Sequence, residues 1–169
     1  MRVYGVVGWK NSGKTTLMER LVSEITGRGF TVSTIKHAHH VFDVDRPGKD
    51  SYRHREAGAR EVLVASGARW ALMRELREEE EPPLEQLLAR LAPVDLVLIE
   101  GYKRDAHPKV EAHRAETGAP LIASEDSTVK AVATNDPVEA AQPLLPLDNA
   151  SAVADFILGE VGLPLNANG

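Results

Sequence analysis

The amino-acid sequence predicts an α/β fold in which a mainly parallel central sheet is flanked by helices. Strand-like and helical segments alternate along the 169 residues, as in strand–helix–strand units. The run VDLVLIEG, residues 94–101, is apolar without alternation, which is typical of a strand buried on both faces. The length and the 43% hydrophobic content suit one domain, predicted to span residues 1–163, with 164–169 as a flexible tail.

The first third of the chain predicts strand, helix, strand and loop in turn. Residues 2–8 are rich in Val and Tyr and predict a strand, and residues 30–36 predict a second one. Between them, residues 14–28 carry an apolar stripe at helical spacing. The stripe consists of Leu17, Met18, Leu21, Val22 and Ile25. A polar segment with Pro47 and Gly48 follows and is predicted to be a loop.

The middle and end of the chain repeat this alternation in shorter segments. A short helix is expected from residue 50 or 51 to 58, and the runs EVLVAS and RWALMREL, split by Gly67, predict a hairpin or two adjacent strands. Leucines at 84, 87, 88 and 91 mark another helix. Beyond the run at 94–101, three more strands are predicted in KVEAHR, PLIAS and VKAVAT. The last helix is predicted from Val153, Phe156, Ile157 and Val161.

Composition excludes several classes of function. The formal net charge of −5 argues against a basic surface for nucleic acid, and the absence of cysteine excludes disulfides and thiolate chemistry. No apolar run approaches the roughly 18 residues of a membrane span, and no signal peptide is recognisable. We therefore expect a cytoplasmic protein with neither nucleic acid nor membrane as partner.

The segment GWKNSGKT satisfies the pattern G-x-x-x-x-G-K-[ST] between a predicted strand and a predicted helix. This is the P-loop, whose backbone N–H groups surround a polyphosphate, so the predicted fold is a three-layer P-loop NTPase fold. Lys14 is expected to reach the β- and γ-phosphates, and the Thr15 hydroxyl to bind Mg²⁺. The predicted phosphate-binding residues are Gly8, Asn11, Ser12, Gly13, Lys14, Thr15 and Thr16. A glycine-rich turn without a ligand is the alternative.

A P-loop also needs an acidic residue near the metal, at the end of a buried strand next to the first one. Glu100 follows four apolar residues and is the candidate for this second metal ligand. Lys14 and Glu100 are accordingly the candidate catalytic residues. The alternative for Glu100 is an ordinary exposed acid at a strand end.

The loop after the second predicted strand concentrates histidine and charge. His37, His39 and His40 are candidate contacts for a substrate or an anion, as are Lys49 and Arg53. A transition-metal site is an alternative by residue type, although no second cluster completes a ligand set. A solvated loop is the other alternative. Among the acids of this loop, Asp45 is a candidate for supporting Mg²⁺.

Four segments together resemble one family. GWKNSGKTTL, TIKHAHHVFDVDRPGKDSYRHREAGA, DLVLIEGYK and HPKVEAHR, in this order, are similar to the molybdopterin-guanine dinucleotide biosynthesis protein B family. The resemblance extends from residue 3 to about residue 136, and the histidine loop and EGYK are its specific parts. It implies a P-loop protein that binds GTP, typically as a homodimer. It also implies weak GTP hydrolysis and a role in assisting a guanylyltransferase partner, which attaches GMP to molybdopterin.

Guanine recognition is less visible, because the N-K-x-D element of many GTPases is absent. ATNDP, residues 133–137, is a partial substitute in which Asp136 could accept hydrogen bonds from guanine; an Asp-Pro turn is the alternative. Two other functions stay open. One is an ATP-dependent small-molecule kinase or ligase on the same fold, and the other is a non-catalytic adaptor that binds nucleotide.

Overall fold

The computed structural model describes residues 1–38 and 42–167, which form two compact units along the chain. The first unit comprises residues 1–37 and 88–169, and the second comprises residues 38–87. The strands are β1 (Arg2–Val7), β2 (Val32–Lys36), β3 (Glu61–Ala65), β4 (Trp70–Arg74), β5 (Leu96–Glu100), β6 (Lys109–Ala112), β7 (Val129–Ala133) and β8 (Leu144–Leu145). The helices are α1 (Lys14–Gly27), α2 (Asp50–Glu56), α3 (Leu84–Leu88) and α4 (Ala150–Glu160).

The first unit is built on a six-stranded sheet in the order β2-β5-β1-β6-β7-β8, in which every neighbouring pair is parallel. The predicted α/β class with a mainly parallel central sheet is therefore confirmed. β5 lies between β1 and β2, and its residues 96–99 are fully buried, as the unbroken apolar run predicted. Because β1 and β5 run side by side with Val6 opposite Glu100, their carboxyl ends meet at one edge of the sheet.

The main core lies between the sheet and two helices. α1 buries Leu17, Met18, Leu21 and Ile25, and α4 buries Val153, Ala154, Ile157 and Leu158, against strand residues such as Tyr4 and Val6. Burying a side chain of this size contributes roughly 1.5–3 kcal/mol each. This packing fixes the start of α1 relative to the end of β1. None of the described helices is both long and apolar enough to pass through a membrane.

One predicted strand is wrong. PLIAS forms a 3-10 turn at Ile122–Ser124 instead of a strand. The reason is the fully buried carboxylate of Glu111, which accepts hydrogen bonds from the backbone N–H groups of Ile122 and Ala123 at 3.0 and 2.9 Å. Donors used in this way are not available to a strand ladder, and the short β8 pairs with β7 instead.

The second unit contains α2 and an antiparallel hairpin, as the sequence predicted. β3 pairs with β4 in a register that places Leu63 opposite Leu72 and Ala65 opposite Trp70. The guanidinium group of Arg55 holds three acids of this unit, with contacts of 2.9 Å to Asp43, 3.5 Å to Asp45 and 2.7 Å to Glu75. Arg55 therefore joins α2 to the segments before and after it.

Candidate functional site

The loop between β1 and α1 has the backbone of an anion-binding site. Gly8 and Gly13 adopt φ values of 150° and 91°, a region that favours glycine. A Cβ on Gly8 would also lie 2.4 Å from the carbonyl oxygen of Ala112, which no side chain could tolerate. α1 begins directly afterwards at Lys14, so its first backbone N–H groups lie next to this loop, with neither helical acceptors nor a side-chain cap from Gly13. Gly8 and Gly13 therefore occupy positions that favour glycine.

Lys14 lies within the loop rather than extending into solvent. Its ammonium group donates a hydrogen bond of 2.5 Å to the carbonyl oxygen of Trp9. Burial lowers the pKa of Lys14 below its usual value, and Lys103 and Lys36 lower it further, while Glu100 acts in the opposite direction. A bound polyphosphate would reverse this shift, since an adjacent negative charge favours the ammonium form.

Glu100 lies at the end of β5, where the sequence predicted the acidic residue to be. The Thr15 hydroxyl donates to its Oε1 at 3.0 Å, and the Lys36 ammonium lies 3.3 Å from the same oxygen. The Glu100 side chain is only 12% exposed, so its charge is held by these partners more than by water. Glu100 is therefore not an exposed acid, and its role as a metal ligand stays a prediction.

The other predicted phosphate-binding residues occupy the same loop. Ser12 is 1% exposed, and its hydroxyl has no hydrogen-bond partner among the described residues. A buried hydroxyl without a partner is costly, so a ligand atom that binds Ser12 would remove an existing penalty. Asn11 adopts φ 65° and lines an open cleft of about 340 Å³ together with Lys10. Thr16 is exposed in the first turn of α1.

Comparison with known families identifies the chain. Residues 3–135 match the sequence family described as Molybdopterin guanine dinucleotide synthesis protein B. The chain belongs to this family. The resemblance drawn from the four sequence segments is thereby confirmed.

Individual relatives agree with the assignment to the synthesis protein B family. The chain is 44% identical over 156 residues to the molybdopterin-guanine dinucleotide biosynthesis adapter protein of Haemophilus influenzae, covering 90% of this chain and 85% of the relative. It is 41% identical over 153 residues to the protein of the same name from Escherichia coli, covering 89% and 87%. The crystal structure of a MobB protein homolog from Bacillus stearothermophilus superimposes with a TM-score of 0.71 at 31% identity, covering 96% of this chain and 99% of that one.

The histidine loop of this family member is described only in part. His37 follows β2, its backbone N–H donates to the carbonyl oxygen of Glu100 at 2.9 Å, and its ring lies 4.7 Å from the ring of Tyr102. The ring of His37 therefore lies near the end of β5, on the side of the sheet that holds Glu100. The predicted contacts His39 and His40 lie outside the described residues.

Three further predicted residues belong to the second unit. Lys49 and Arg53 are exposed, and the guanidinium group of Arg53 lies 4.0 Å from the Asp50 carboxylate. Asp45 accepts hydrogen bonds from the Ser51 hydroxyl at 3.0 Å and from the backbone N–H of Arg46 at 2.9 Å. Its carboxylate thus already stabilises the start of α2. Among the described residues, no group of three or more histidines and acids is arranged to hold a metal ion.

Asp136 lies in a cleft of about 260 Å³ near the loop between β1 and α1. Arg114, Asn135, Leu147 and Asp148 also line this cleft. Asp136 Oδ2 accepts a hydrogen bond of 2.7 Å from the backbone N–H of Ala115, so the predicted Asp-Pro turn is fastened to the segment after β6. The cleft adjoins the loop between β1 and α1, since a Cβ placed on Gly13 would lie 3.3 Å from the Nε atom of Arg114.

Sequence reasoning missed three cations of the site. Lys36 contacts Glu100, Arg114 lies over Gly13, and Lys103 lies over the Trp9 ring at 4.0 Å from its centroid. Lys36 and Lys103 belong to the segments TIK and EGYK, which carry the family resemblance. The signal that could have found them is their position, since Lys36 ends β2 and Lys103 follows β5. Since β2 and β5 are neighbouring parallel strands, residues after both of them meet at the carboxyl edge.

Proposed function

We propose that this chain binds Mg²⁺ and GTP at residues 8–16 and acts as an adapter in molybdopterin guanine dinucleotide synthesis. In this role it assists a guanylyltransferase partner that converts molybdopterin to the dinucleotide, and it hydrolyses GTP only weakly. Family membership and the adapter names of the two relatives support the pathway. The geometry of the loop supports the nucleotide.

One observation carries the nucleotide part of the proposal. The Thr15 hydroxyl and the Glu100 carboxylate lie 3.0 Å apart beside Lys14, at the start of a helix whose first amides are free of side-chain caps. A triphosphate would receive hydrogen bonds from the loop backbone and charge from Lys14. No other part of the described chain combines these groups with an orphaned buried hydroxyl such as that of Ser12.

The donor set also fits Mg²⁺. This ion prefers oxygen ligands and is usually held by one or two protein groups together with substrate phosphates. Thr15 and Glu100 would hold it here, and it would neutralise charge that develops on the phosphate oxygens. The ion pair between Lys36 and Glu100 would be weakened by the cation, which would free the Lys36 ammonium for a phosphate.

The cleft beside Gly13 supports guanine as the base. Guanine presents two adjacent donors, N1–H and the 2-amino group, whereas adenine presents an acceptor at N1. Asp136 and Asp148 supply carboxylate acceptors in the cleft, and Asp136 is oriented by its bond to Ala115. These groups favour guanine over adenine.

The hairpin of the second unit supports a homodimer. Leu63, Trp70 and Leu72 share one face of β3 and β4 and are 61%, 68% and 43% exposed. Large apolar side chains grouped on one sheet face are typical of an interaction surface. A second copy of the chain, presenting the same face, would cover it with symmetric contacts.

Calorimetric titration with GTP, ATP and GDP in the presence of Mg²⁺ tests the nucleotide proposal. We expect saturable binding of GTP, weaker binding of ATP, and loss of both in Lys14→Ala with an unchanged thermal unfolding midpoint. Lys130→Ala is the matched control. Lys130 is exposed on β7, and the hydrogen bond described for its ammonium group goes to the Ser127 carbonyl oxygen, not to a residue of the loop between β1 and α1. Equal or tighter binding of ATP would contradict the proposal in favour of a kinase or ligase.

The adapter part needs a separate assay. Formation of the dinucleotide by the guanylyltransferase partner should rise when this chain is added with GTP and Mg²⁺. It should not rise with Lys14→Ala, whereas Lys130→Ala should behave like the unmodified chain. A partner rate that is unaffected by the chain would contradict this part.

A further inference from the structure

The turn after β5 holds an unusual backbone conformation. Gly101 and Tyr102 have φ values of 97° and 50° in succession, and the second residue is not a glycine. A residue with a Cβ adopts this region only where its surroundings compensate for the strain. Here the Tyr102 ring lies 4.7 Å from the His37 ring at an interplanar angle of 33°. Lys103, which follows this strained pair, contacts Trp9 of the loop between β1 and α1.

The ammonium group of Lys103 contacts Trp9 in the loop between β1 and α1. It lies 4.0 Å from the centroid of the Trp9 ring, within the range of a cation–π contact. The indole N–H of Trp9 donates to the carbonyl oxygen of Pro120 at 2.7 Å, so the ring is held in place. The carbonyl oxygen of the same Trp9 accepts from the Lys14 ammonium. Trp9 therefore contacts two ammonium groups, that of Lys14 through its carbonyl oxygen and that of Lys103 through its ring.

A buried lysine fixes the segment that carries Lys103. The Lys109 side chain is fully buried on β6. Its ammonium group, with three N–H donors, lies within hydrogen-bonding distance of four oxygens: the carbonyls of Asp105 at 2.5 Å and Lys103 at 3.4 Å, the Thr128 hydroxyl at 2.6 Å and the Asp126 carboxylate at 3.3 Å. A buried ammonium without such oxygens would be very costly. Lys109 thus ties both ends of residues 103–105 to the sheet and to the start of β7.

Among the described residues at this edge of the sheet, ammonium groups outnumber the carboxylates that contact them. Lys14, Lys36 and Lys103 converge there, and Glu100 is the carboxylate that contacts one of them. The nearby Glu111 has both oxygens bonded to backbone N–H groups of the 3-10 turn. Burial lowers the pKa of Lys103, with Glu111 acting in the opposite direction, as expected for an ammonium group held without a full counterion. An anion with more than one charge would complete this arrangement.

We propose that Lys103 contacts the terminal phosphoryl group of the bound nucleoside triphosphate, and that Lys109 is the positioning residue that presents it. The inference rests on the proposed nucleotide function and adds a third cation, supplied by the same chain, to Lys14 and the metal. Lys103 comes from the turn after β5, whereas Lys14 comes from the first turn of α1. It therefore recognises the triphosphate tail, and a nucleoside diphosphate lacks the group that it contacts.

The test is the ratio of GTP to GDP affinity, measured by competition against a fluorescent GDP with Mg²⁺ present. A charge-assisted contact to phosphate predicts that Lys103→Met weakens GTP binding about tenfold or more and leaves GDP binding within about twofold. Lys103→Arg keeps the charge and should retain most of the ratio. Lys130→Met removes a lysine from β7 away from the loop and should change neither affinity.

Lys109 is tested by the same ratio. Lys109→Met should lower GTP affinity relative to GDP in the same direction, because the segment with Lys103 loses its anchor. If Lys109→Met does not fold, Thr128→Val removes one of the four oxygens and should lower the ratio less strongly. A purely structural role for Lys109 would weaken GTP and GDP binding alike, and that result would overturn its part in the proposal.

The outcomes separate this inference from the proposed function. If the unmodified chain binds GTP and Lys103→Met preserves the GTP to GDP ratio, the role of Lys103 is wrong and the nucleotide site stands. If the unmodified chain binds neither nucleotide, both proposals fail. A drop in the ratio for Lys103→Met, with recovery in Lys103→Arg, supports the contact.

Discussion

The Thr15 hydroxyl donates a hydrogen bond to Glu100 Oε1 at 3.0 Å, joining two residues that lie 85 positions apart in the chain. The bond links the first turn of α1 to the end of β5, so the loop and the acidic residue are held in one geometry. Since β1 and β5 are adjacent parallel strands, the same sheet register that buries residues 96–99 also brings Glu100 to the loop. The strand pairing that forms the core therefore also positions the acidic residue of the candidate site.

Glu100→Gln should remove most of the effect of Mg²⁺ on GTP binding. An amide is a weaker ligand for a hard divalent ion than a carboxylate, so we expect GTP affinity in Mg²⁺ to fall roughly tenfold, or about 1.4 kcal/mol. With the metal removed by EDTA, the variant should bind GTP at least as well as the unmodified chain, because it lacks a negative charge beside the phosphates and no longer pairs with Lys36. Calorimetry in both conditions measures the difference, and an unchanged metal effect would show that Glu100 is not a ligand.

Asp136→Ala should reduce the preference for GTP over ATP. Loss of one carboxylate acceptor from the cleft predicts about a tenfold weaker binding of GTP with little change for ATP. The variant also loses the hydrogen bond from Ala115, so we expect a small decrease in the unfolding midpoint. Competition titrations with both nucleotides measure the preference, which a purely structural Asp136 would leave intact.

The folded state should lose stability as pH falls through 6.5 because of His107. Burial lowers the pKa of His107 below 6.5, helped by Lys109 and opposed by Asp105 and Asp126. In the window between the lowered pKa and 6.5 the unfolded chain binds the proton and the folded chain does not, so the free energy of unfolding falls with pH there and levels off below it. Neither ring nitrogen has a partner among the described residues, which agrees with a neutral ring.

Urea unfolding at several pH values above and below 6.5 measures this dependence. His107→Gln should show a shallower decline than the unmodified chain, because it lacks the group whose pKa burial lowers. Parallel declines would contradict the assignment to His107.

Arg28→Ala should destabilise the first unit by about 1–2 kcal/mol. The Arg28 side chain, 12% exposed, donates to Glu24 on α1 and to Asp155 and Ser151 on α4, with distances of 2.5–3.0 Å. Its removal leaves these acceptors partly unpaired between the two helices. Arg20→Ala is the matched control, since its ion pair with Asp148 joins side chains that are 48% and 65% exposed and should contribute less than about 0.5 kcal/mol. Urea unfolding compares the two, and equal effects would contradict the argument.

Trp70→Glu combined with Leu72→Lys should convert a homodimer to a monomer. Both side chains lie on the exposed apolar face of the hairpin, and charges there are costly to bury between two copies. Sedimentation equilibrium over a range of concentrations measures the mass. Glu19→Lys together with Glu125→Lys changes charge at exposed positions outside the hairpin and should leave the mass unchanged. A chain that is monomeric without any substitution would contradict the homodimer.

Much of the fold followed from local patterns. The apolar stripe of α1, the hairpin split at Gly67 and the buried run of β5 are properties of short segments, and the structure confirms each of them. The strand prediction for PLIAS is wrong because the outcome depends on the buried Glu111, which lies 11 and 12 positions before the residues whose backbone N–H groups it binds. A short apolar run carries no record of a distant carboxylate that takes its backbone donors.

By itself, the sequence determined the fold class, the glycine-rich loop after β1 and the place of Glu100 at the end of β5. The glycine motif and the apolar periodicity are local patterns of a few residues. The placement of Glu100 followed from a general property of parallel sheets, in which the carboxyl ends of neighbouring strands meet at one edge. Only the tertiary structure decided which cations join that loop. Lys36 ends β2, Lys103 follows β5 and Arg114 follows β6. Packing sets how the strained turn and the buried Lys109 position Lys103. Contacts of this kind depend on side-chain direction at ångström scale, which no linear pattern specifies.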